Sequence, residues 1–434
     1  MVHGRAGGML DRFRVEFDDE RAVANAGLLL SASLAGRLGI EALVNETVDL
    51  AGRPGAAGPG RKVLTLVHAM QLGADSIDDC DVLRSGRTEL VLGHQLRAPS
   101  TLGTFLRAFT FGHVRQLDRV LGEALRRAWQ AGAGPGAARL VIDLDSFVGE
   151  VHGYEKEGAA YGYTRELGYH PLLASRAGSD EVLHVRLRKG SANTQRGAER
   201  FVDELIARVR RAGASGEILV RADSGFWNKK ITAKLRAKGC LYSIGVRITK
   251  PVAAALAAIP EQAWQRLDDY PDTGEAEIAE TMLGADRLIV RRVRTLDAQQ
   301  QLFATWQHFA FITNRTEPLA LVEREQREHA TVELVIRDLK DQALAHFPSG
   351  RFNANAAWTV IACLAHNLLR WTELLGLPEQ RRRRARTLRR RLLALPGRLT
   401  RTARRWTLHL PARWPWQHDF LAALARIRAL PAPD

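Results

Sequence analysis

Apolar residues recur at helical spacing through the first third of the chain. They do so in RAVANAGLLLSASLAGRLGIEALVNETV, in KVLTLVHAMQLG and in STLGTFLRAFTFGHVRQLDRVLGEALRRAW, and a Gly- and Pro-rich loop, AGRPGAAGPGRK, separates the first two stretches. Apolar positions three and four residues apart form one face of a helix. The sequence therefore predicts an all-helical N-terminal domain over residues 1–130.

The pattern changes after the hinge AGAGPGAARL. Short apolar runs bounded by turn residues are typical of strands, and the longer amphipathic stretches between them are typical of helices. The predicted strands cover residues 140–147, 183–188, 218–222 and 241–248, the predicted helices cover 198–212 and 228–238, and GYHPLLAS supplies one more strand. This order of three strands, helix, strand, helix and strand predicts an α/β domain with a ribonuclease-H-like core over residues 138–375.

Residues 250–315 separate this core from the helices that follow it. A helical stretch is followed there by three strand-like segments, AEIAETML, DRLIVRRVRT and FAFITN. Strand-like segments in this position indicate a β-rich insertion of about 250–315, placed before the helix that contains Glu333.

Composition narrows the class of protein. The chain has 434 residues, 46% of them hydrophobic, which is enough for two or three folded units. Its longest apolar run, residues 358–369, is interrupted by His366 and Asn367 and is shorter than the roughly 20 residues of a membrane span. The N-terminus lacks the apolar stretch of a signal peptide, and three widely spaced cysteines indicate neither a disulfide framework nor a clustered zinc site. We expect a soluble cytoplasmic protein without a membrane segment.

The net charge of +15 is concentrated at one end. Residues 376–434 contain fifteen Arg and no Lys against three acidic residues, and Trp406, Trp414 and Trp416 are interleaved with the arginines. Guanidinium groups bind phosphates in pairs and indole rings stack on bases, so this composition favours a nucleic-acid-binding tail. Leu and Ala at helical spacing predict that the tail is a basic pair of amphipathic helices. A solvated tail and an anionic membrane surface as partner are the alternatives.

Three carboxylates are the candidate catalytic groups. Asp145 lies near the end of the predicted strand RLVIDLDS, Asp223 follows the strand ILVRA, and Glu333 lies in the helix-like ATVELVIRDLKD. Hard oxygen ligands on rigid elements can hold two Mg²⁺ ions about 3.5–4 Å apart, a pair that stabilises both the attacking and the leaving oxygen of a phosphodiester. Asp143 and Asp145 point to the same face of a strand, so either could be the first ligand.

Two other interpretations apply to these acidic residues. The Asp-x-Asp-Ser pattern at a strand end is also found in haloacid-dehalogenase phosphatases, but that family would need Thr or Val in place of Phe147 and a later Gly-Asp-x-x-x-Asp site, which the sequence lacks. An aspartate after a strand can also simply cap the following loop. Three acidic sites in suitable elements favour the metal site over these alternatives.

The helix that contains Glu333 also offers phosphate contacts. Glu333, Arg337 and Lys340 stand at positions i, i+4 and i+7, so they share one helical face and Lys340 lies ~10 Å along the axis from Glu333. A surface helix with a Glu–Arg ion pair is the simpler alternative. The apolar segment that follows, ANAAWTVIACLAHNLLRW, predicts a buried helix in which Asn355 and Asn367 are hydrogen-bonded core residues.

Longer stretches resemble a known family. The chain resembles bacterial insertion-sequence transposases of the Asp-Asp-Glu type, in the IS thirteen-eighty family. The stretches that carry the resemblance are NAGLLLSASLAGRLG, GADSIDDCDVLRSG, KEGAAYGYTRELGYHPLLA, VRADSGF, RFNANAAWTVIACLAHNLLRW and LPARWPW. The related signature Tyr-(2)-Arg-(3)-Glu-(6)-Lys is kept at Glu333 and Lys340. Gln326 and His329 stand where Tyr and Arg are expected.

The resemblance implies cut-and-paste movement of a DNA element by a homodimer at the bacterial nucleoid. Its DNA partners would be terminal inverted repeats and a target site. Asp145 or Asp143, Asp223 and Glu333 would hold Mg²⁺, for which Mn²⁺ can substitute. A decayed transposase that only binds DNA is the alternative implied by the two altered signature positions.

The resemblance and the charge pattern also suggest DNA contacts. Lys340 and Arg337 would position phosphates, and Trp227 would stack on an unpaired base unless it belongs to the core. Tyr163, Arg165 and His170 would line the DNA channel unless they only form a strand and turn. In the tail, the predicted phosphate contacts are Arg381, Arg382, Arg383, Arg384, Arg389, Arg390, Arg391, Arg404 and Arg405.

Overall fold

The computed structural model describes residues 12–153, 155–162, 165–270, 274–295, 306–377, 379 and 382–432. Its first part is helical apart from one two-residue strand. The elements are β1 (Ala22–Val23), α1 (Leu28–Arg37), α2 (Ile40–Thr47), α3 (Pro59–Gln71), α4 (Thr88–Leu92), α5 (Pro99–Arg107) and α6 (Phe111–Ala128). The expectation of helices alone is wrong at β1, because Ala22 pairs with Arg398 near the other end of the chain.

A mixed sheet follows these helices. Its strands and the helices between them are β2 (Leu140–Ser146), β6 (Leu172–Arg176), β7 (Val182–Arg186), α7 (Ala198–Ala212), β8 (Ile218–Ala222), α8 (Lys229–Ala237) and β9 (Leu241–Val246). Strand β2 is parallel to β8 and antiparallel to β6, and β9 is parallel to β8. Three short strands, β3 (Gly149–Glu150), β4 (Ala160–Tyr161) and β5 (Leu167–Tyr169), form a separate small sheet beside it.

The central elements follow directly from their sequences. All five residues of β8 are buried, as expected of a strand with a neighbour on each side and cover on both faces. In α7, Phe201, Leu205 and Val209 are buried at intervals of four residues, and Gly213 ends the helix with a φ of 114°. Helix α7 therefore lies with one apolar face against the sheet.

The segment predicted as a β-rich insertion extends the same sheet. It contains α9 (Lys250–Ala257), β10 (Gln265–Arg266), β11 (Gly274–Leu283), β12 (Asp286–Thr295) and β13 (Gln307–Thr313). Strand β13 pairs antiparallel with β9, with Ile312 opposite Ile244. The sheet thus has nine strands in the order β10–β11–β12–β13–β9–β8–β2–β6–β7.

The last part of the chain returns to the N-terminal helices. Its elements are α10 (Leu319–Arg327), α11 (Val332–Leu339), α12 (Phe352–Gly376), α13 (Ala385–Leu388), β14 (Gly397–Thr402), β15 (Arg405–His409) and α14 (Gln417–Ala429). Every residue from 354 to 373 is buried, and α12 packs against α3, α6, α14 and β7. The prediction of a buried helix here is confirmed.

The two core asparagines of α12 are fully hydrogen-bonded. Asn367 accepts from the backbone N–H of Val182 at 2.7 Å and donates to its carbonyl at 2.8 Å, which fixes the start of β7 against the helix. Asn355 donates to the hydroxyl of Tyr169 and accepts from the backbone of Ser349. Both residues are structural, as the sequence indicated.

The predicted pair of tail helices is wrong in its second half. A short helix, α13, is present, but residues 397–409 form the β14–β15 hairpin, to which β1 adds a third strand. Leu399 and Leu408 are opposite each other and pack against Val23 and Ala26. Alternation of these leucines with polar residues, and a strand partner far away in sequence, outweigh the helical spacing of Leu and Ala.

Within the described residues, no single helix is both long enough and apolar enough to cross a membrane. Helices α1 and α2 meet at an angle of 56°. Taken together as one bent pair, they have the length and apolar composition that a membrane span needs.

Candidate active site

Asp145 and Asp223 lie at neighbouring strand ends. Asp145 is the penultimate residue of β2, and Asp223 directly follows β8. The two strands are parallel, with Leu144 opposite Ala222, so their carboxyl ends meet at one edge of the sheet. Asp223 is exposed and accepts a hydrogen bond from the backbone of Gly225 at 3.1 Å, which shapes the turn after the strand.

Glycine on the next strand makes room for this turn. A Cβ at Gly245 of β9 would lie 2.9 Å from the backbone nitrogen of Ser224, closer than side chains normally approach. The absence of a side chain at Gly245 therefore lets the turn that contains Asp223 pack against β9.

Glu333 reaches the same edge from a helix. It lies in the first turn of α11 and is exposed, and α11 packs on β2. The preceding turn is attached to β2 as well, because the Nε2 of His329 lies 3.1 Å from the carbonyl oxygen of Leu144. That carbonyl belongs to the residue immediately before Asp145.

The charges of Asp223 and Glu333 act on Asp145, although the ligand atoms of the three carboxylates do not all lie within 4.8 Å of one another. Burial raises the pKa of Asp145 to about 7, and the charges of Asp223, Glu333 and Asp143 add to the shift. A hydrogen bond from the backbone N–H of Ser146 at 2.6 Å favours the ionised form but does not offset these effects. In the described part of the chain, neither Asp145, Asp223 nor Glu333 forms an ion pair, so their negative charge is not neutralised.

Asp143 differs from Asp145 although both lie on β2. Its carboxylate forms a bidentate ion pair with Arg221 of β8, in which the oxygens lie 2.7 Å from Nε and 2.8 Å from Nη2. Both side chains are almost completely buried. The backbone places Asp143 and Arg221 opposite each other in the parallel pair. The Asp143 carboxylate is therefore bound to an arginine of the sheet, whereas that of Asp145 forms no ion pair within the described residues.

Comparison with known proteins identifies the family. The model of the family described as Transposase DDE domain group 1 matches residues 8–432. The chain belongs to this transposase family. A solved structure, titled as a cryo-EM structure of the piggyBac transposase synaptic complex with hairpin DNA, is similar at a TM-score of 0.47 with 13% identity, over 85% of this chain and 80% of that one. Among curated proteins no match is found.

The basic and aromatic candidates of this transposase lie around the carboxylates. Lys340 is exposed, with its Nζ 5.7 Å from the ring centre of Phe147 just beyond β2. Arg337 is half-buried, and its Nε atom is buried without a hydrogen-bond partner among the described residues. Trp227 is half-buried and packs against the core, while its carbonyl oxygen accepts from Gln195 at 3.0 Å.

His170 is buried rather than exposed to a channel. Its Nε2 lies 3.1 Å from the hydroxyl of Ser146, and its Nδ1 lies 2.5 Å from the carbonyl oxygen of Ala192. The Nε of Arg188 donates to the His170 carbonyl at 2.8 Å. His170 therefore supports the end of β2 beside Asp145, a role that sequence reasoning missed. Arg165 is exposed, and Tyr163 lies outside the described residues.

The tail arginines separate into two groups. Arg382 pairs with Asp180, Arg383 pairs with Glu373, and Arg389 donates to the carbonyl oxygens of Gln71 and Asp341. Arg391 stacks on Trp416 at 4.9 Å. The other predicted phosphate contacts within the described residues are all exposed. They are Arg384, Arg390, Arg404 and Arg405. Arg381 lies outside the described residues. Arg382, Arg383 and Arg389 therefore hold the tail to the rest of the transposase.

A second acidic cluster lies away from the strand ends. Asp118, His184 and Glu204 place ligand atoms within 4.8 Å of one another, and they are the one such group in the described residues. Arginines surround it: Arg208 lies 2.7 Å from Asp118, and Arg115 lies 3.1 Å from Glu204. Neutralised carboxylates of this kind form an ion-pair network, so we do not assign a metal to them.

The pKa shifts in this network agree with that conclusion. Burial alone would raise the pKa of Asp118, but Arg208 and His184 outweigh it and hold the pKa well below its usual range. The pKa of Glu204 is also lowered, because His184 and Arg186 outweigh its partial burial. Both acids are stabilised in their charged forms by protein groups.

Proposed function

We propose that this protein is a metal-dependent DNA transposase that cuts at the ends of a mobile element and joins them to target DNA. The observation that supports this most directly is that Asp145 and Asp223 lie at the ends of adjacent parallel strands, that the charge of Glu333 also acts on Asp145, and that none of the three forms an ion pair within the described residues. The strand order and directions of β2, β6, β7, β8 and β9 are those expected of a ribonuclease-H-like core. Membership of the bacterial IS thirteen-eighty family within the larger family is part of the proposal.

The residues fit a divalent metal. Three carboxylates offer the hard oxygen ligands that Mg²⁺ and Mn²⁺ prefer, and the burial of Asp145 beside two further acids gives a cluster that a cation would stabilise. Asp145, rather than Asp143, is the proposed first ligand, since Arg221 already binds Asp143. When bound, the metal would supply charge stabilisation at the reacting phosphate.

The chain's own groups would hold and orient the DNA at this site. Lys340 is exposed beside Phe147 and is the proposed contact to a phosphate next to the scissile bond. Arg337 lies on the same helical face, and its solvent-accessible part is the second proposed contact. Ser146, fixed by His170, would keep the end of β2 in place. The exposed part of Trp227 is the proposed stacking surface for an unpaired base.

In the tail, we propose only the exposed arginines as phosphate contacts. The β14–β15 hairpin presents Arg404 and Arg405 at its tip, and Arg401 stacks on the exposed ring of Trp406 at 5.4 Å. Arginines beside an exposed indole suit binding to a sugar-phosphate backbone. Inverted repeats and target DNA are the proposed partners, and a homodimer at the bacterial nucleoid is the proposed assembly.

The alternative, a decayed transposase that only binds DNA, is not favoured. His329 stands where Arg is expected but still attaches its turn to β2, and the sequence retains Asp145, Asp223 and Glu333. The altered position Gln326 has a buried side-chain oxygen without a partner among the described residues. Gln326 is not one of the proposed metal ligands.

A cleavage assay tests the proposal. The DNA substrate would include the sequences that flank the gene, in which we expect short terminal inverted repeats. Purified full-length protein should cut this DNA at the repeat ends only when Mg²⁺ or Mn²⁺ is added, and it should leave free 3′-hydroxyl groups. Cutting that persists in excess EDTA would overturn the metal-dependent mechanism, and binding without cutting in any metal would favour the alternative.

A further inference from the structure

Four cavities follow one another along helices α6, α7 and α8. The first, of about 650 Å³, shares Asp203 with the second, of about 310 Å³. The second shares Arg211 with the third, of about 320 Å³, and the third shares Arg126 with the fourth, of about 410 Å³. Shared lining residues mean that neighbouring cavities adjoin. We call this row, from Asn228 at one end to Arg37 at the other, the α6–α7 groove.

One end of the groove adjoins the candidate active site. Gln195 and Asn228 line the first cavity, and the side-chain amide of Asn228 lies 3.3 Å from the Oε1 of Gln195. Gln195 in turn donates to the carbonyl oxygen of Trp227, four residues after Asp223. The groove therefore leads away from the loop that contains one of the three carboxylates.

Arginines line the groove from both helices. One face of α6 carries three of them, Arg115, Arg119 and Arg126, at positions i, i+4 and i+11. Two others, Arg208 and Arg211, face them from α7. This arrangement has space because Gly122 lies between the α6 arginines. A Cβ there would be 3.2 Å from the Nε of Arg208.

Positive charge in the groove exceeds what its acids neutralise. Each lining acid of the described residues has a basic partner: Asp118 pairs with Arg115 and Arg208, Glu123 with Arg126 and Arg127, Glu204 with Arg200, Asp203 with Lys238 and Glu199 with Lys234. Arg119 and Arg211 are among the lining arginines that these acids leave unpaired. Both are exposed, and neither side chain forms an ion pair or hydrogen bond within the described ranges. They are free to bind an anion.

The groove suits the backbone of a duplex. Proteins that follow single strands combine basic residues with stacking aromatic rings, and none of the described residues that line these four cavities is aromatic. Duplex DNA instead presents regularly spaced phosphates that arginines contact without reading sequence. Helix α6, with 18 residues, is ~27 Å long, which matches the phosphates of roughly eight base pairs.

We propose that the α6–α7 groove binds the phosphate backbone of duplex DNA that extends away from the bond that is cut, with Arg119 and Arg211 as contacts at a distance from the carboxylates. The proposal rests on the proposed function, because the DNA concerned is the substrate of the carboxylate site. It assigns a basic DNA-binding surface to α6 and α7 in addition to the Arg-rich tail.

The test measures how binding depends on salt. The full chain and its Arg119→Gln/Arg211→Gln variant would be titrated with a random-sequence duplex by fluorescence anisotropy at several salt concentrations. Each phosphate contact contributes about 0.9 to the slope of log affinity against log salt, so the variant's slope should be lower by about 1.8. Both side chains are exposed, and we expect the thermal unfolding temperature to be unchanged.

The matched control is Arg53→Gln/Arg266→Gln. These two arginines are also exposed, form no side-chain ion pair in the described residues, and lie in the loop before α3 and on β10, outside the groove. The control removes the same charge and should change the slope by much less. A slope as low in the control as in the groove variant would overturn the proposal, as would an unchanged slope in the groove variant.

Two further measurements separate the groove from the proposed function. The same titration with single-stranded DNA should show a smaller difference between variant and wild type, and an equal or larger one would overturn the duplex assignment. Metal-dependent cleavage by the wild type tests the carboxylate site alone. Cleavage with an unchanged variant slope would reject only the groove, and a lowered slope without any cleavage would reject only the catalytic function.

Discussion

Two groups of acidic side chains lie near the central sheet, and they differ in what surrounds them. Asp118 and Glu204 are close to each other and to His184, but arginines bind both carboxylates. Asp145 and Asp223 lack such partners in the described residues, and the pKa of Asp145 is raised to about 7. We therefore base the proposed metal site on charge that the protein leaves uncompensated rather than on the proximity of potential ligands.

The largest expected effect is on catalysis. Asp223→Asn removes a charge from the uncompensated group, and we expect it to slow metal-dependent DNA cleavage by about 10⁴-fold or more, the order typical of losing a catalytic group. Asp118→Asn in the other group removes no proposed metal ligand, so it should leave the cleavage rate of the folded protein at saturating DNA unchanged. Initial rates on the same substrate would show the contrast, and unaltered cutting by the Asp223 variant would reject the site.

The second effect is on stability and has the opposite pattern. Asp118→Ala leaves the buried guanidinium of Arg208 without its carboxylate, so the free energy of unfolding should fall by about 3–5 kcal/mol. Glu333→Ala removes an exposed side chain without an ion pair and should change it by about 0.5 kcal/mol or less. Urea unfolding followed by circular dichroism measures both, and equal losses would remove the distinction between the groups.

Acid should weaken the arginine-bound group specifically. The pKa of Asp118 is lowered in the folded protein, so its contribution to stability is complete above the ordinary aspartate pKa of 3.8 and is lost as the pH falls below it. Asp118→Asn should therefore show a shallower loss of unfolding free energy between pH 5 and 3, by at most about 1.4 kcal/mol per pH unit. Identical slopes in the two proteins would contradict the ion-pair network.

The smallest effect distinguishes the two aspartates of β2. Burial and like charges disfavour the ionised form of Asp145, so Asp145→Asn in metal-free buffer at neutral pH should raise the free energy of unfolding by about 0.5–2 kcal/mol. Asp143→Asn should lower it instead, since Arg221 loses its charged partner. Destabilisation by both variants would show that Asp145, too, is engaged in the sheet.

Sequence patterns were sufficient where local periodicity decides the structure. The boundaries of α7 and β8 follow from their apolar positions, and α12 follows from its long apolar run. The distinction between Asp143 and Asp145 did not follow. Both side chains have the same direction on the strand, and the difference depends on Arg221, which lies on another strand.

Elements that form by pairing of distant segments also could not be predicted from local sequence patterns. The β14–β15 hairpin depends on pairing with β1 at the other end of the chain, and Leu399 alternating with threonine and arginine looks like one turn of a basic helix when read alone. The Asp118 network joins α6, β7 and α7, and no single segment contains more than one of its acids. Such contacts depend on tertiary packing rather than on local propensity.

The position of α12 also sets when the protein can fold. The apolar faces of α3 and α6 pack on this helix, yet α12 ends roughly 300 residues after α3. At the usual speed of synthesis, of 5–20 residues per second, those faces stay uncovered for roughly 15–60 s while the ribosome completes the intervening chain. We therefore expect translation products that stop before Phe352 to aggregate or to be degraded, so that a shortened message yields no stable partial protein.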